Sequence, residues 1–232
     1  MTEIAKKPNI FVQGLSEAGV HYGSRRARRH PSTKPFVFGT KNDIEIIDLE
    51  KTESSIIKAK EFLAKLRETG KKLLLVGNKS EARSVIEKAA IRAGLPYVAL
   101  RWIGGTFTNF DEIRKRVERL GDWEAKSNSG ELNKYTKKER ARIAHEVGNL
   151  KRFFSGIVEM HELPGAVFVV DPDKESIAVT EAKKLGVPVL GLANTDCDIS
   201  VLDYPIVGND KSVASIKLIM DEIVGVWLQH RT

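Results

Sequence analysis

The chain has 232 residues, of which 41% are apolar and 30% are charged, and its formal net charge is +7. This length and apolar share are enough for one large α/β domain, or for a domain with an appendage. The single cysteine, Cys197, excludes an intramolecular disulfide and a cysteine-based zinc site, and it fits a reducing compartment. No apolar stretch approaches about 18 residues, and the first residues lack the apolar run of a secretory signal. We therefore expect no membrane segment and a cytoplasmic location.

The spacing of apolar residues predicts an alternation of strands and helices after a short leader over residues 1–9. A β-hairpin is expected over 36–47, and a helix follows over 51–69. Further along the chain the expected elements are a strand over 72–76, a helix over 78–93 capped by Asn78, strands over 97–100 and 166–170, a helix ending at Leu185 and capped by Asp173, strands over 187–192 and 205–207, and a helix over 211–229. Near-continuous apolar strands that alternate with helices predict an α/β fold with a parallel sheet covered on both faces.

The alternation is interrupted at about residues 107–160, where apolar residues recur at heptad spacing. The two seams are Phe110, Ile113, Val117 and Leu120, and then Ile143, Val147, Leu150, Phe154 and Ile157. A turn-rich stretch over 121–135 separates them, which predicts an inserted antiparallel coiled-coil helical hairpin; helices that simply cover the sheet are the alternative. We expect 1–20 to be a leader and the start of a basic arm, 21–106 and 160–232 to form the α/β domain, and 107–159 to form the hairpin.

Residues 21–41, here called the basic segment, carry six basic side chains and no acidic one. The predicted RNA-binding residues within it are Arg25, Arg26, Arg28, Arg29, His30 and Lys34. Guanidinium groups contact phosphates in bidentate fashion, and releasing counterions makes such binding strongly salt-dependent. Residues 160–232, in contrast, carry six basic and 11 acidic side chains, so nucleic acid is expected on the N-terminal side. The alternative is a basic loop with no fixed partner.

Residues 101–109 form a second candidate segment, because they follow a predicted strand and precede a predicted helix. Arg101 could supply a charge, and Trp102 a stacking face or a plug in the core. Thr106, Thr108 and Asn109 lie near a helix start, where a side chain could cap the helix or a phosphate could bind. The residues alone leave these interpretations equal.

The sequence offers little that suggests catalysis. The loop over 77–80 lacks a glycine-rich phosphate-binding pattern, and no nucleophile motif or paired-histidine metal motif is present. Asp171, Asp173, Asp196 and Asp198 follow two strands and could bind Mg²⁺, although helix capping is the commoner use of such residues. We predict no enzyme, no cofactor and no metal. A nucleotide-dependent enzyme and a protein-docking scaffold are the alternatives to an RNA-binding protein.

A set of short motifs resembles the small-subunit ribosomal protein S2 family, also called the universal uS2 family. In family order, the matching residues are 18–23 (AGVHYG), 34–39 (KPFVFG), 46–52 (IIDLEKT), 97–110 (YVALRWIGGTFTNF), 163–164 (LP), 168–171 (FVVD), 178–182 (AVTEA), 186–189 (GVPV), 194–198 (NTDCD) and 204–210 (YPIVGND). The stretch over 101–110 is the most specific of these. The resemblance covers about residues 18–229.

The resemblance implies a Rossmann-like or flavodoxin-like domain with an inserted coiled-coil hairpin and no catalytic activity. It implies small-subunit ribosomal RNA and neighbouring small-subunit proteins as partners, among them ribosomal protein S1 in bacteria that have it. The chain departs from the family pattern at Ser24, where a histidine is frequent, and at residues 29–31, where Arg-His-Pro replaces Trp-Asn-Pro. Phosphate binding is therefore carried over, and base-specific contacts at those positions are not.

Overall fold

A computed structural model describes residues 10–228 of the chain, apart from the side chain of Asn133. Its α-helices are α1 (Ile10–Glu17), α2 (Leu49–Glu68), α3 (Ser80–Ala93), α4 (Phe110–Asn128), α5 (Lys137–Phe154), α6 (Ser176–Lys184) and α7 (Val213–Leu228). Its strands are β1 (Tyr22–Arg25), β2 (Val37–Lys41), β3 (Ile44–Ile47), β4 (Leu73–Val76), β5 (Tyr97–Val98), β6 (Ala166–Val170), β7 (Val189–Ala193) and β8 (Tyr204–Val207). None of the helices between residues 10 and 228 combines the length and apolar character needed to cross a bilayer.

The main sheet has the strand order β5-β4-β6-β7-β8, and every neighbouring pair is parallel. The chain moves outward from β4 to β5 and then returns to the other side of β4 to form β6. This is the order of flavodoxin-like folds, and its topological switch point lies between β4 and β6. The predicted α/β fold with a parallel sheet is confirmed.

The side chains of the central strands divide between two cores because successive residues of a strand point to opposite faces. Leu73 and Leu75 belong to a core with α2, α3 and α7, whereas Leu74 and Val76 belong to a core with α6 and the ends of α4 and α5 nearest the sheet. All residues of β4, β6 and β7 are buried, as expected of a parallel sheet covered on both faces.

A second, antiparallel sheet has the order β1-β3-β2. The predicted hairpin is present as β2 and β3, and its turn residues Asn42 and Asp43 have positive φ angles of 50° and 62°, as a type I′ turn requires. Strand β1 and helix α1 are not anticipated from the sequence, which assigns residues 10–20 to a leader and the start of a basic arm. Helix α1 packs against α2 through the buried Leu15. The leader expected over 1–9 lies outside the described residues.

The inserted helices α4 and α5 contact each other, and α4 is longer than the sequence predicts. The turn expected from Gly121 is wrong: the helix continues to Asn128, since one glycine inside a helix costs about 1 kcal/mol and packing offsets it. Residues 113, 117 and 154 join the core beside the sheet, whereas Leu120 and Ile143 are buried outside both core clusters. Coiled-coil packing and the division of the chain into domains remain predictions.

Two predicted helix caps are wrong. Helix α3 begins at Ser80 with Lys79, not Asn78, in the cap position, and the backbone amide of Asn78 donates to Glu175 Oε1 at 2.6 Å. Glu175 itself occupies the cap position of α6 without a side-chain cap bond, and Asp173 is exposed.

Candidate nucleic-acid interface

The basic segment is fixed to the loop that follows β7, and a single threonine supplies most of the anchorage. The hydroxyl of Thr195 accepts a hydrogen bond from the amide of Ser24 at 2.9 Å. Its carbonyl accepts from the amide of His30 and from the hydroxyl of Thr33, both at 2.9 Å. Thr195 and Thr33 are fully buried. The segment therefore has a defined path over the carboxyl edge of the sheet.

Two ion pairs strengthen this attachment. The Arg29 guanidinium lies 3.1 Å from a carboxylate oxygen of Glu45, a residue of β3 with no exposed surface. The Lys211 ammonium donates to Ser24 Oγ at 2.7 Å and to Asp196 at 3.2 Å. Arg29 therefore serves to hold the segment in place, a role that its position in the arginine run does not reveal.

The remaining cations of the cluster point away from the anchors. Arg26 and Arg28 lie on a 3-10 helix that follows β1, and both are exposed, as are Arg25 and Lys34. Within residues 10–228, these four side chains form no ion pair with an acidic group. His30 lies at the edge of the set, with Nδ1 2.8 Å from Ser32 Oγ and 3.7 Å from an Asp198 oxygen. A phosphate would meet four uncompensated charges on an ordered backbone.

The 101–109 segment already holds an anion of its own. The carboxylate of Glu181, on α6, accepts from the amides of Gly105 at 2.7 Å, Phe107 at 2.9 Å and Thr108 at 3.3 Å. Burial raises the pKa of Glu181, but these amide bonds outweigh it and hold the pKa below its ordinary value. The amides expected to receive a phosphate are therefore occupied by a carboxylate.

Two predicted binding residues of this segment face the interior. Trp102 is 4% exposed and packs edge-on against Phe107, with ring centroids 4.9 Å apart. Thr106 is 2% exposed and donates to the carbonyl of Ile103. Trp102 is buried in the core and offers no stacking face. We therefore exclude Trp102 and Thr106 from the candidate interface. The other three predicted residues, Arg101, Thr108 and Asn109, are exposed, and the Asn109 side chain makes no cap bond.

Glu181 and Glu45 shape the two candidate segments, although the sequence does not single them out. Glu181 lies between Ala178 and Ala182 on the inward face of α6, and a carboxylate at such a position signals a fixed hydrogen-bond partner. Glu45 alternates with apolar residues on β3, a pattern that normally places an acid in solvent. The burial of Glu45 depends on the basic segment lying across it, which no local pattern shows.

The topological switch point of the sheet is filled by an internal ion network. The Lys79 ammonium lies 2.7 Å from Asp210 and 3.2 Å from Asp171, and all three residues are buried. Burial lowers the pKa of Lys79, but the two carboxylates outweigh it and hold the pKa above its ordinary value. Ligands of doubly wound folds bind at this place, so the chain's own side chains occupy the usual ligand cleft.

The network also bears on metal binding. Among the described residues, Asp171, Cys197 and Asp210 bring potential ligand atoms within 4.8 Å of one another. The Lys79 ammonium already forms ion pairs with both carboxylates, and burial together with nearby carboxylates raises the pKa of the Cys197 thiol. A protonated thiol and a cation beside the ligands do not suit a divalent ion.

Three of the four aspartates considered as possible Mg²⁺ ligands have separate uses, and the fourth, Asp173, is exposed. Asp171 pairs with Lys79, and Asp196 pairs with Lys211. Asp198 caps a short 3-10 helix by accepting from the amide and the hydroxyl of Ser200. The alternative of a shared Mg²⁺ site, which the sequence left open beside helix capping, therefore has little support from these contacts.

The fold and site together define a doubly wound α/β protein whose ligand cleft is closed and which displays an anchored cluster of arginines. A family model described as Ribosomal protein S2 matches residues 15–229. The small ribosomal subunit protein uS2 of Thermus thermophilus is 44% identical over 222 residues, covering 96% of this chain and 87% of the relative. The corresponding protein of Deinococcus radiodurans is 43% identical, covering 96% and 84%.

A third relative, uS2 of Roseiflexus sp., is 42% identical over 220 residues, covering 95% of this chain and 84% of the relative. The chain belongs to the ribosomal protein S2 family. That family is structural and non-enzymatic, which confirms the prediction that the chain is not an enzyme. Its general role is that of a structural component of the small ribosomal subunit.

Proposed function

We propose that the chain binds the phosphates of small-subunit ribosomal RNA through Arg25, Arg26, Arg28 and Lys34. The observation that carries the proposal is the exposure of these cations on a backbone whose path Thr195 fixes. Like charges held this close repel one another unless an anion lies among them, and within residues 10–228 none of these four side chains forms an ion pair. RNA phosphates provide that anion.

Arg29 and His30 belong to the same segment with a different task. Arg29 holds the basic segment in place through its ion pair with Glu45, and His30 caps the 3-10 helix that carries Lys34. Arg101, Thr108 and Asn109 are exposed on a separate loop and would add a second RNA contact. Neighbouring small-subunit proteins are further partners in the assembled particle.

The test replaces Arg25, Arg26 and Arg28 together by glutamine and measures binding to small-subunit ribosomal RNA at several salt concentrations. Losing three phosphate contacts should reduce the slope of log affinity against log salt by about 2–3. The matched control is the triple substitution Lys58→Gln, Lys183→Gln and Lys184→Gln, which removes the same charge from exposed positions on α2 and α6. An unchanged slope in the arginine variant, or an equal loss in the control, would refute the proposal.

A protein-docking role for the inserted helices is the second candidate. A groove of about 550 Å³ lies between α4 and α5 and is lined by residues of both helices, including Trp123, Ala144 and Gly148. Such a groove suits a helical segment of a neighbouring protein, and ribosomal protein S1 is the partner that the family resemblance suggests. Ala144→Glu with Gly148→Glu should preserve incorporation into small subunits and reduce retention of the partner. Unchanged retention would reject this role.

A further inference from the structure

The small antiparallel sheet has one face turned inward and one turned outward. Residues directly opposite each other across an antiparallel pair share a face, and so do residues two apart on a strand. Glu45 and Ile47 of β3 are buried, which defines the inner face. Ile44 and Ile46 therefore lie on the opposite side, here called the outer face.

The strand register places further side chains on the outer face. Tyr22 of β1 and Gly39 of β2 flank Ile46, and Arg25 of β1 and Lys41 of β2 flank Ile44. Side chains paired in this way have Cβ atoms about 4.5–5.5 Å apart. The face thus carries an apolar and aromatic centre with a cation at each end of one row.

Within residues 10–228, no element covers this apolar surface. The exposed fraction is 50% for Tyr22 and 39% for Ile44. Phe38, at the bulge beside Gly39, is 81% exposed. A Cβ built on Gly39 would meet nothing within 4 Å, so the space above the sheet is open there.

The surrounding charges identify the chemistry of what covers the face. Arg25 and Lys41 have no acidic partner among the described residues, and Arg26 and Arg28 follow directly on the chain. Asp43 lies in the turn between β2 and β3 and is the nearby acid on the exposed side. Aromatic platforms interleaved with uncompensated cations fit unpaired RNA, whose bases stack on rings and whose phosphates pair with cations. An apolar protein surface would leave these cations unpaired, whereas unpaired RNA supplies both phosphates and stacking bases.

We propose that the outer face and the exposed ring of Phe38, at the bulge on its β2 edge, bind an unpaired RNA base. Phe38 is the main stacking platform, Tyr22 lies on the opposite edge strand, and Arg25 and Lys41 contact the flanking phosphates. The inference rests on the proposed RNA-binding function and adds a contact to bases. The anchors at Thr195 and Glu45 hold the sheet from its inner side, so the platform is ordered before RNA arrives.

The test uses the full chain and two RNA hairpins with the same number of nucleotides and therefore equal charge, one with a fully paired stem and one with a single unpaired nucleotide bulged from its stem. Phe38→Ala should weaken binding of the bulged probe by at least about fivefold, as the loss of one base–aromatic stack does, with its salt slope unchanged. Binding of the paired duplex should be unaffected. Phe38→Trp should restore the affinity, and Ile91→Ala, which truncates an exposed apolar residue on α3, serves as the control.

The outcomes separate this inference from the proposed function. If Phe38→Ala binds both probes like the wild type while the triple arginine variant loses its salt slope, the stacking proposal is overturned and phosphate binding stands. If Phe38→Ala weakens both probes equally, the residue does not read unpaired bases. If RNA binding is intact but the variant is lost from salt-washed small subunits, the face docks a neighbouring protein and the inference is again wrong.

Discussion

The Arg29 guanidinium and the Glu45 carboxylate form a 3.1 Å ion pair in which the glutamate has no exposed surface and the arginine side chain is 30% exposed. The second carboxylate oxygen of Glu45 has no hydrogen-bond partner in the structure. The pair therefore neutralises a charge that would otherwise be buried alone, and it ties the basic segment to β3.

Removing Arg29 should consequently cost more stability than removing both partners. We expect Arg29→Gln to lower the free energy of unfolding by about 2–4 kcal/mol, because it leaves the buried carboxylate unpaired. Adding Glu45→Gln should recover most of that loss in a double-mutant cycle measured by urea denaturation. Strictly additive effects of the two substitutions would show that the pair does not hold the segment.

Lys79 provides a second test of buried charge, at the topological switch point. Lys79→Met is expected to lower the free energy of unfolding by about 3–5 kcal/mol, since Asp171 and Asp210 would remain buried without their cation. Adding Asp210→Asn should restore part of the loss. The exposed Lys174→Met is the control, and urea midpoints supply the measurement. Equal midpoints for the two lysine variants would contradict the network.

Glu175 should make stability depend on pH. The side chain is 1% exposed, one of its oxygens has no partner, and burial raises its pKa to about 7 from the ordinary 4.5. Below about pH 4.5 the group is protonated in both states and has no effect. As the pH rises from about 4.5 to about 7, the unfolded chain releases its proton first, so the folded state loses stability.

Glu175→Gln should therefore be more stable than the wild type at about pH 8, by up to about 3 kcal/mol, and nearly equal to it at about pH 4. Glutamine retains the oxygen that accepts from the Asn78 amide. Chemical denaturation at both pH values measures the difference, with the exposed Glu162→Gln as control. A pH-independent difference would mean that the titration of Glu175 is not its source.

We expect a glycine-to-alanine substitution to have opposite effects at two positions, one inside α5 and one just after it. A Cβ on Gly156 would lie 2.2 Å from the carbonyl oxygen of Tyr97 and 2.9 Å from its ring, so Gly156→Ala should destabilise the protein by about 1–3 kcal/mol. A Cβ on Gly148, inside α5, would meet nothing within 4 Å, so Gly148→Ala should stabilise it by about 0.5–1 kcal/mol. Thermal melts test both, and shifts of the same sign would contradict this close packing.

The parts of the fold that the sequence predicts are those with a strong local signal. Strands β4 and β6 consist entirely of apolar residues. Such continuous apolar runs are typical of strands in a parallel sheet that is covered on both faces. Strand β1 has no such signal: its sequence YGSR is polar, and it forms because β3 and the Thr195 loop supply hydrogen-bond partners. Gly121 indicates a turn by composition, yet packing along α4 overrides that preference.

In the candidate site, too, the features with a local sequence signal are the ones that the sequence predicts. A dense arginine run is a local property, and Arg25, Arg26 and Arg28 are exposed as such a run predicts. The separate fate of Arg29 depends on Glu45 and on the path of the backbone between them. The sequence alone left two roles open for Trp102, a side chain buried in the core or an exposed stacking face. Its edge contact with Phe107 shows that it is buried in the core. These roles depend on contacts between elements that are distant in the sequence, so they cannot be predicted from the chemistry of single residues.

The attachment of the basic segment to Thr195 has a consequence for the order of synthesis. The bonds to Thr195 join residues that are 162 and 171 positions apart, so the arginines leave the translating ribosome long before their anchor exists. A nascent or truncated polypeptide carries these charges with no assigned geometry. A finished chain presents them in a fixed arrangement, so we expect complete molecules to be favoured over fragments during particle assembly.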